Sequence, residues 1–422
     1  MSEPNERETQ QREEIFSVSE DIRMTGERTH VERDEKSVYE DYSDYIFLRS
    51  VKTSDTSEDG VVKSSRHRSG SSHHHRRHHK KKMKTWKKVL LIVVSVLLAL
   101  VLAVTATAFV LIQKGRSELF DVDLKLTLPD LSNIEAEVEV EDGGKYIVYN
   151  GSKYRYNEEV TNLLFMGVDK RDIENKTEEG MGGQSDVIVM MAIDTKNQKI
   201  TMVSLPRDTM TDVAVYDTAG QYVGMREMQV CLAYAYGDGK ETSCEYMESA
   251  VRRIFYNIPV QTYYALDLDG IAALNDSVGG VDVISPETIG DFVSGQLYHL
   301  EGKMAESFVR TRSHEVKEAN LYRMERQKTY VKAFMSKVFT ATKEDITTPV
   351  TMFNESAPYS CTNLNASKVA YLAKEVVLGG GMTTTMMTVP GDMTLVDHYA
   401  QYHIDEDAFY EMFLSIYYEK VE

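Results

Sequence analysis

The sequence has little cysteine, and the few cysteines form no metal-binding pattern. Its 422 residues include three, Cys231, Cys244 and Cys361. Three are too few for a disulfide-stabilised scaffold, and no Cys/His cluster has the spacing of a structural zinc site. If the domain is exported, a Cys231–Cys244 bridge is one alternative, and three free thiols are the other.

An excess of positive charge is absent from the long C-terminal part of the chain. Residues 113–422 carry 29 basic and 49 acidic residues, and the whole chain has a net charge of −18. Binding to nucleic acid requires local positive charge that neutralises phosphates. This part of the chain is therefore not a nucleic-acid-binding domain, although it is long enough to bury a substantial core.

One long uncharged segment interrupts the otherwise polar first third of the chain. Val89–Ile112 contains 24 residues and no charged side chain. As a helix it would be about 36 Å long, enough to cross a hydrocarbon core of about 30 Å. A cleaved signal peptide is the rival interpretation, but the apolar run is too long and begins too far from the N-terminus. The segment predicts a transmembrane helix over residues 89–112.

The charges that flank this segment predict its orientation. Residues 61–88 carry 11 basic and no acidic residues, whereas only Lys114 and Arg116 follow the segment closely. The positive-inside rule places the N-terminus in the cytoplasm and residues 113–422 outside the cell membrane. Beside a membrane the basic run is expected to contact anionic lipids. Residues 1–88 lack hydrophobic periodicity, which predicts a disordered cytoplasmic tail.

The pattern beyond the membrane segment predicts two regions. Residues 113–160 alternate polar and apolar side chains around Gly143-Gly144, which favours a small β-rich accessory segment with a turn. Residues 161–422 alternate strand and helix patterns, which favours an α/β domain with a central mixed sheet flanked by helices. The predicted strands are Asn162–Val168, Asp186–Ile193, Lys199–Leu205, Thr262–Leu266 and Val281–Ile284. The predicted helices are Ser243–Tyr256, Asp269–Ser277, Lys303–Arg312, Tyr322–Phe339, Ser367–Val377 and Asp405–Tyr418.

Three charged motifs lie at the ends of predicted strands. They are GVDKRD (residues 167–172), GGQSD (182–186) and SLPRD (204–208). Strand ends and the adjoining loops are where α/β sheets place ligands. Asp169 and Asp186 bracket one loop and are expected to approach each other. A pair of carboxylates there suits Mg2+, which commonly shares its oxygen ligands with a phosphate.

A fourth motif concentrates arginines within residues 309–327. Its candidate phosphate-binding residues are Arg310, Arg312, Arg323, Arg326 and Gln327. Arg323 and Arg326 are three residues apart on a predicted helix and so lie on neighbouring faces. A guanidinium group binds phosphate oxygens through two parallel hydrogen bonds. The motif therefore predicts pyrophosphate binding, and the alternative is ordinary surface ion pairs with Glu315, Glu318 and Glu325.

Taken in chain order, these motifs resemble the LytR-CpsA-Psr family of bacterial cell-wall ligases. The resemblance covers about residues 162–334. It consists of NLLFMGVDKRD, GQSDVIVMMAIDTKNQKITMVSLPRDT, LAYAYGDG, DLDGIAALNDSVGGVDV and SFVRTR with YRMERQ. Each piece is a weak signal, but five pieces in the family's order are a specific one. The family's architecture, a cytoplasmic tail, one span and an outside domain, agrees with the predicted topology.

The resemblance implies a membrane-anchored phosphotransferase. Such an enzyme takes a glycopolymer, for example a teichoic acid or a capsule polymer, from a polyprenyl-pyrophosphate donor. It transfers the phosphoglycan to a hydroxyl of peptidoglycan and leaves polyprenyl phosphate. The implied partners are this donor, the peptidoglycan acceptor and the membrane.

The resemblance also assigns roles to residues of this chain. It implies that Asp169 and Asp186 hold Mg2+ and act in catalysis together with Arg207 and Asp208, of which Asp208 orients Arg207. It implies that the pyrophosphate is bound by the following residues: Arg171 (or Lys170), Arg207, Arg310 or Arg312, Arg323, Arg326 and Gln327.

Three positions depart from the family pattern. Gln184 replaces the arginine of the GRSD motif, Gln229 replaces a lysine for which Arg226 is a candidate substitute, and Asn320 replaces an acid. The lost charges leave two alternatives open. One is a hydrolase of polyprenyl pyrophosphate, and the other is a non-enzymatic envelope regulator or scaffold.

Overall fold

The structure, a computed structural model, describes residues 85–121 and 136–421, except 172, 174, 176, 178–180, 218, 312–318 and 397–398. The side chains of residues 319–321 are also outside the description. Arg312 and residues 1–84 of the predicted tail therefore lie outside the described residues.

The chain described begins with a long apolar helix, α1, at Thr85–Phe120. By length and composition this helix could cross a membrane, and it is the only such helix among the described residues. Its apolar side chains from Val89 to Val110 are exposed, whereas Gly115 and Leu119 near its end are buried. The predicted span of residues 89–112 lies entirely within α1.

A small antiparallel sheet follows α1. Its first strands are β1 (Val138–Glu141), β2 (Tyr146–Tyr149) and β3 (Ser152–Tyr156). The turn between β1 and β2 contains Gly143 and Gly144, both with positive φ, 62° and 97°. Glycine adopts this conformation without steric cost, and the predicted turn is confirmed.

The elements that build and cover the central sheet come next. They are β4 (Val160–Val168), β5 (Ser185–Asp194), β6 (Lys199–Leu205), β7 (Met210–Tyr216), β8 (Tyr222–Gln229), a 3-10 helix (Val230–Tyr236), α2 (Glu241–Ile254), β9 (Thr262–Leu266) and α3 (Leu268–Ser277). They are followed by β10 (Val281–Ile284), β11 (Leu297–Leu300), α4 (Lys303–Arg310), α5 (Ala319–Glu344) and α6 (Thr348–Ser356).

The last elements are β12 (Ser360–Thr362), α7 (Ala366–Leu378), β13 (Thr383–Thr388), β14 (Gly391–Val396), β15 (Tyr399–Ile404), α8 (Glu406–Tyr417) and β16 (Tyr418–Lys420). The central sheet has six strands in the order β12-β9-β4-β5-β6-β13. β4 pairs in parallel with β9 and β6 with β13, while the other neighbours are antiparallel. The predicted mixed α/β fold is confirmed.

The C-terminal strand returns to the small N-terminal sheet. β16 pairs antiparallel with β3, which gives the order β1-β2-β3-β16. The strands within the segment 113–160 thus share their sheet with the far end of the chain.

Both faces of the central sheet are covered, as its apolar strands predict. Even-numbered β5 residues such as Ile188 and Met190 join the core formed with α2 and α8. Odd-numbered residues such as Val189 and Ile193 join a second core that includes side chains of α5 and α7. Alternation between two cores explains the continuous apolar sequence VIVMMAI.

The end of α1 packs tightly against α7. A Cβ atom placed on Gly115 would overlap the carbonyl oxygen of Ser367. Near this contact, Asn365 Nδ2 donates to Glu118 Oε2 over 2.8 Å, and the rings of Phe120 and Tyr371 lie 5.8 Å apart, edge to face. The apolar helix and the domain are thereby joined by direct packing.

Gly115→Val is expected to loosen this joint, because the new side chain has no room beside the Ser367 backbone. Overpacking of this kind costs about 1–3 kcal/mol, so the melting temperature of the full chain in detergent should fall. Ala103→Val adds similar bulk at an exposed position of α1 and is the matched control. Equal melting temperatures for the two variants would contradict the packing role of Gly115.

Candidate pyrophosphate and metal site

The predicted strand-end motifs meet at one edge of the central sheet. β4 and β5 are antiparallel, with Val168 opposite Ser185, so the end of β4 lies beside the start of β5. The backbone N–H of Asp169 donates to the Gln184 carbonyl over 3.1 Å. β6 ends at the same edge, because Leu205 lies opposite Ile188.

Two carboxylates come together at this edge, as predicted. Burial raises the pKa of Asp186, Asp169 raises it further, and Arg207 opposes the shift. A second carboxylate raises the pKa of the Asp186 carboxyl in this way only when the two are close. Among the described residues, no group of three or more His, Cys, Asp or Glu side chains could hold a metal. Two carboxylates suit Mg2+, which takes its remaining ligands from water and phosphate.

Arg207 is held by acceptors on three sides. Its Nη1 forms an ion pair with Asp186, its Nη2 donates to Gln184 Oε1 over 2.6 Å, and its Nε lies 3.5 Å from Asp208 Oδ1. Burial raises the pKa of Asp208, while Arg207 opposes the shift.

A second glutamine holds the partner of Arg207. Gln229 Nε2 donates to Asp208 Oδ1 over 3.1 Å and to the Ala400 carbonyl over 2.6 Å. The two glutamines that depart from the family pattern therefore fix the Arg207–Asp208 pair, whereas Arg226 is exposed on β8.

The three cysteines are free and buried, so no Cys231–Cys244 bridge is present. The Cys231 thiol instead contacts Arg207 from the buried side, and burial raises the pKa of this thiol to about 11. Cys244 lies near Cys361, and this neighbour together with burial raises the pKa of the Cys244 thiol. The sequence offered no signal for either contact, because the partners are distant along the chain.

A buried glutamate organises the next two arginines. Glu306 on α4 is only 7% exposed. Its Oε1 accepts hydrogen bonds from Arg171 Nη2 over 2.6 Å and from Arg310 Nη1 over 2.8 Å. Arg310 Nη2 also lies 3.5 Å from Asp169 Oδ1, and Arg171 forms an ion pair with Asp269. Glu306 was missed by the sequence analysis, although its spacing of four residues from Arg310 is typical of a helical ion pair.

Arg326 and Gln327 support the end of α4. Arg326 is fully buried, and its guanidinium group donates to the carbonyls of Phe308 and Thr311 and pairs with Glu287. Burial lowers the pKa of Arg326, and Glu287 opposes the shift. Gln327 Nε2 donates to the Val309 carbonyl over 3.2 Å. These contacts fix the backbone on both sides of Arg310.

Arg323 belongs to the cluster at the strand ends. It is close enough to Asp186 and Asp208 to counter the rise in pKa of both carboxylates. The structure thus gathers the following predicted residues at one edge: Asp169, Asp186, Arg207, Asp208, Arg310 and Arg323. Arg171 joins them through Glu306, whereas Arg326 and Gln327 lie beneath α4.

Comparison with known proteins identifies relatives of this chain. It is 30% identical over 190 residues to the polyisoprenyl-teichoic acid–peptidoglycan teichoic acid transferase TagV of Bacillus subtilis, covering 42% of this chain and 44% of that protein. It is 28% identical over 186 residues to the TagU transferase of the same description from Enterococcus faecalis, covering 43% of this chain and 55% of that protein. The matches span about half the length of these relatives.

Solved structures of similar proteins were also found. The crystal structure of Bacillus subtilis TagV matches with a TM-score of 0.46 and 22% identity, over 62% of this chain and 96% of that one. A structure of TagT bound to LI-WTA matches with a TM-score of 0.44 and 18% identity, over 61% and 89% of the two chains. The model of the LytR_cpsA_psr family matches residues 131–415, which is more than half of the chain. The chain therefore belongs to the LytR_cpsA_psr family, the family that its strand-end motifs resemble.

Proposed function

We propose that this protein is a membrane-anchored phosphotransferase that moves a glycopolymer from a polyprenyl-pyrophosphate donor onto peptidoglycan. The observation that carries the proposal is the position of Arg207, fixed beside the two carboxylates at one edge of the sheet. The names of the relatives, which are teichoic acid transferases, support a polymer of that class.

Asp169 and Asp186 would hold Mg2+ in this enzyme. When bound, the ion would neutralise charge on the pyrophosphate. The donor set supports this assignment, because both groups are carboxylates and both lie beside arginines.

The arginines bind and polarise the donor. Arg207, Arg310 and Arg323 bind pyrophosphate oxygens, and Arg171 reaches the same region through its shared partner Glu306. The acceptor hydroxyl oxygen attacks the phosphorus that carries the glycan. The bond from this phosphorus to the bridging oxygen breaks, polyprenyl phosphate leaves, and the hydroxyl proton passes to the departing phosphate or to water. This chemistry requires mainly positioning and charge neutralisation, which a fixed cluster of arginines supplies.

Asp208, Arg326 and Gln327 act through other residues. Asp208 and its partner Gln229 hold the Arg207 side chain. Arg326 and Gln327 hold the backbone that carries Arg310. The Gln184 and Gln229 replacements are compatible with an enzyme, because Gln184 accepts a hydrogen bond from Arg207 and Gln229 donates one to Asp208, so both help to position Arg207.

The proposed topology places the site outside the cell. α1 would span the membrane, with the basic residues that precede it in the cytoplasm. The domain that follows α1 would then face the wall, where its acceptor lies. Capsule polymer remains an alternative to teichoic acid as the transferred chain.

Asp186→Ala is expected to abolish Mg2+-dependent transfer while leaving the melting temperature nearly unchanged. The residue contributes a carboxylate to the proposed metal site and no buried apolar contact. The assay uses the full chain in vesicles, a lipid-linked polymer donor and peptidoglycan, with Mg2+ or EDTA. Polymer joined to peptidoglycan indicates the transferase, whereas free polymer phosphate indicates the hydrolase. Equal turnover by the wild type in EDTA would contradict the metal role.

Arg207→Lys and Arg326→Lys should have different effects. Arg207→Lys keeps the charge but loses bidentate binding, so transfer should fall by roughly ten- to a hundredfold, the equivalent of about 1.5–3 kcal/mol, with little change in melting temperature. Arg326→Lys keeps the charge but cannot reach all the buried acceptors of Arg326, so it should destabilise the fold by about 1–3 kcal/mol for each acceptor left unpaired. Transfer rate and thermal unfolding are measured for both. Normal transfer by Arg207→Lys would contradict its contact with the donor.

Protease added to intact cells is expected to digest residues 113–422 and to spare an epitope tag at the N-terminus. The reason is the basic flank before α1, which retains that end of the helix in the cytoplasm. Permeabilised cells, in which the tag should also be lost, are the control. Loss of the tag in intact cells would show the opposite orientation.

A further inference from the structure

The two carboxylates proposed to hold the cation are already paired with arginines proposed to hold the pyrophosphate. Asp186 forms an ion pair with Arg207 Nη1, and Asp169 Oδ1 lies 3.5 Å from Arg310 Nη2. The same four side chains thus make one set of contacts in this structure and would make another with the donor bound.

Most guanidinium nitrogens of these two arginines already face an acceptor within the protein. Each nitrogen of the Arg207 guanidinium faces an acceptor, on Asp186, Gln184 or Asp208. Arg310 directs Nη1 to Glu306 and Nη2 to Asp169. A pyrophosphate that binds both nitrogens of either fork must therefore compete with a carboxylate that already contacts that arginine.

The carboxylates also oppose the donor electrostatically. Asp186 is half-buried, where charges are screened less than in water, and a second carboxylate, Asp208, contacts the same arginine, Arg207. A pyrophosphate placed here without a cation meets several negative charges at short range. A cation ligated by the two aspartates would remove this repulsion and would compete with the arginines for the same oxygens.

We propose that Asp169 and Asp186 keep the pyrophosphate site closed by pairing with Arg310 and Arg207, and that the site opens when these carboxylates exchange the arginines for a divalent cation. The inference rests on the proposed function, and it specifies the order of events: cation binding precedes or accompanies donor binding. Asp186 contributes more to closing the site than Asp169 does, because Arg310 stays bound to Glu306 after Asp169 has left it.

The proposed exchange and a simple metal-ligand role predict different donor affinities for one variant, Asp186→Asn. Asp186→Asn removes the charge that pairs with Arg207 but keeps the shape of the side chain. If Asp186 acted only as a metal ligand, and neither paired with Arg207 nor repelled the donor, this variant would bind the donor no better than the wild type in EDTA. If Asp186 also closes the site, the variant should bind a prenyl pyrophosphate more tightly than the wild type in EDTA.

The experiment measures the affinity of the full chain in detergent for geranylgeranyl pyrophosphate by calorimetry, with Mg2+ or with EDTA. The wild type should bind in Mg2+ and at least about tenfold more weakly in EDTA, as expected for the loss of one charge-assisted contact. Asp186→Asn should bind about tenfold more tightly than the wild type in EDTA and gain little from Mg2+. Asp282→Asn, which changes the same charge at an exposed position paired with His299, is the matched control and should behave as the wild type.

Three results would overturn the inference, and they are distinguishable. Equal affinity of Asp186→Asn and wild type in EDTA would show that Asp186 does not close the site. An equal gain in Asp282→Asn would show that overall charge, rather than the Arg207 pair, limits binding. Failure of the wild type to bind the prenyl pyrophosphate even with Mg2+ would contradict the proposed function itself. Melting temperatures of all variants establish that each is folded.

Discussion

The antiparallel pairing of β4 with β5 is the constraint on which the site depends. It brings the residue after β4, Asp169, beside the residues that open β5, Gln184 and Asp186. Two carboxylates held together by backbone hydrogen bonds cannot separate to relieve their repulsion. They are therefore stabilised by positive charge, which Arg207, Arg310 and Arg323 supply in this structure.

Supporting contacts extend from this edge into the fold. The Arg207 side chain is held by Gln184 and Asp208. Asp208 is held by Gln229, whose amide also donates to the carbonyl of Ala400 in β15. A hairpin near the C-terminus thus helps to orient an arginine at the centre of the site. The replacement of charged residues by Gln184 and Gln229 preserves hydrogen bonding while it lowers the positive charge around Arg207.

A buried arginine gives the second half of the site its shape. Arg326 donates hydrogen bonds to backbone carbonyls of the segment that carries Arg310, and Glu287 neutralises the charge of Arg326. An unpaired guanidinium at this depth would be strongly unfavourable. The position of Arg310 relative to Asp169 is therefore a property of packing between α4 and α5 as much as of the Arg310 side chain.

The sequence by itself determined the parts of this protein that depend on local pattern. Apolar periodicity predicted the strands β4, β5, β6, β9 and β10 and the long helices, and the motif order identified the family. The hairpins β7–β8 and β14–β15 were missed, and β8 and β14 are mostly exposed, so these two strands have no clear alternation of buried and exposed residues. An exposed ribbon leaves no hydrophobic pattern to detect.

The tertiary structure alone decided which charged residues face one another. The grouping of Asp169, Asp186 and Arg207 followed from strand ends, but the roles of Glu306 and Glu287 did not. Nor did the burial of Arg326, which the local sequence placed on a helix face next to that of Arg323. Ion pairs between residues far apart in the chain depend on how helices pack over the sheet, and the free energy of burying a charge depends on every neighbour it meets. The spacing of residues along the chain reveals neither how the helices pack nor the free energy of burying a charge.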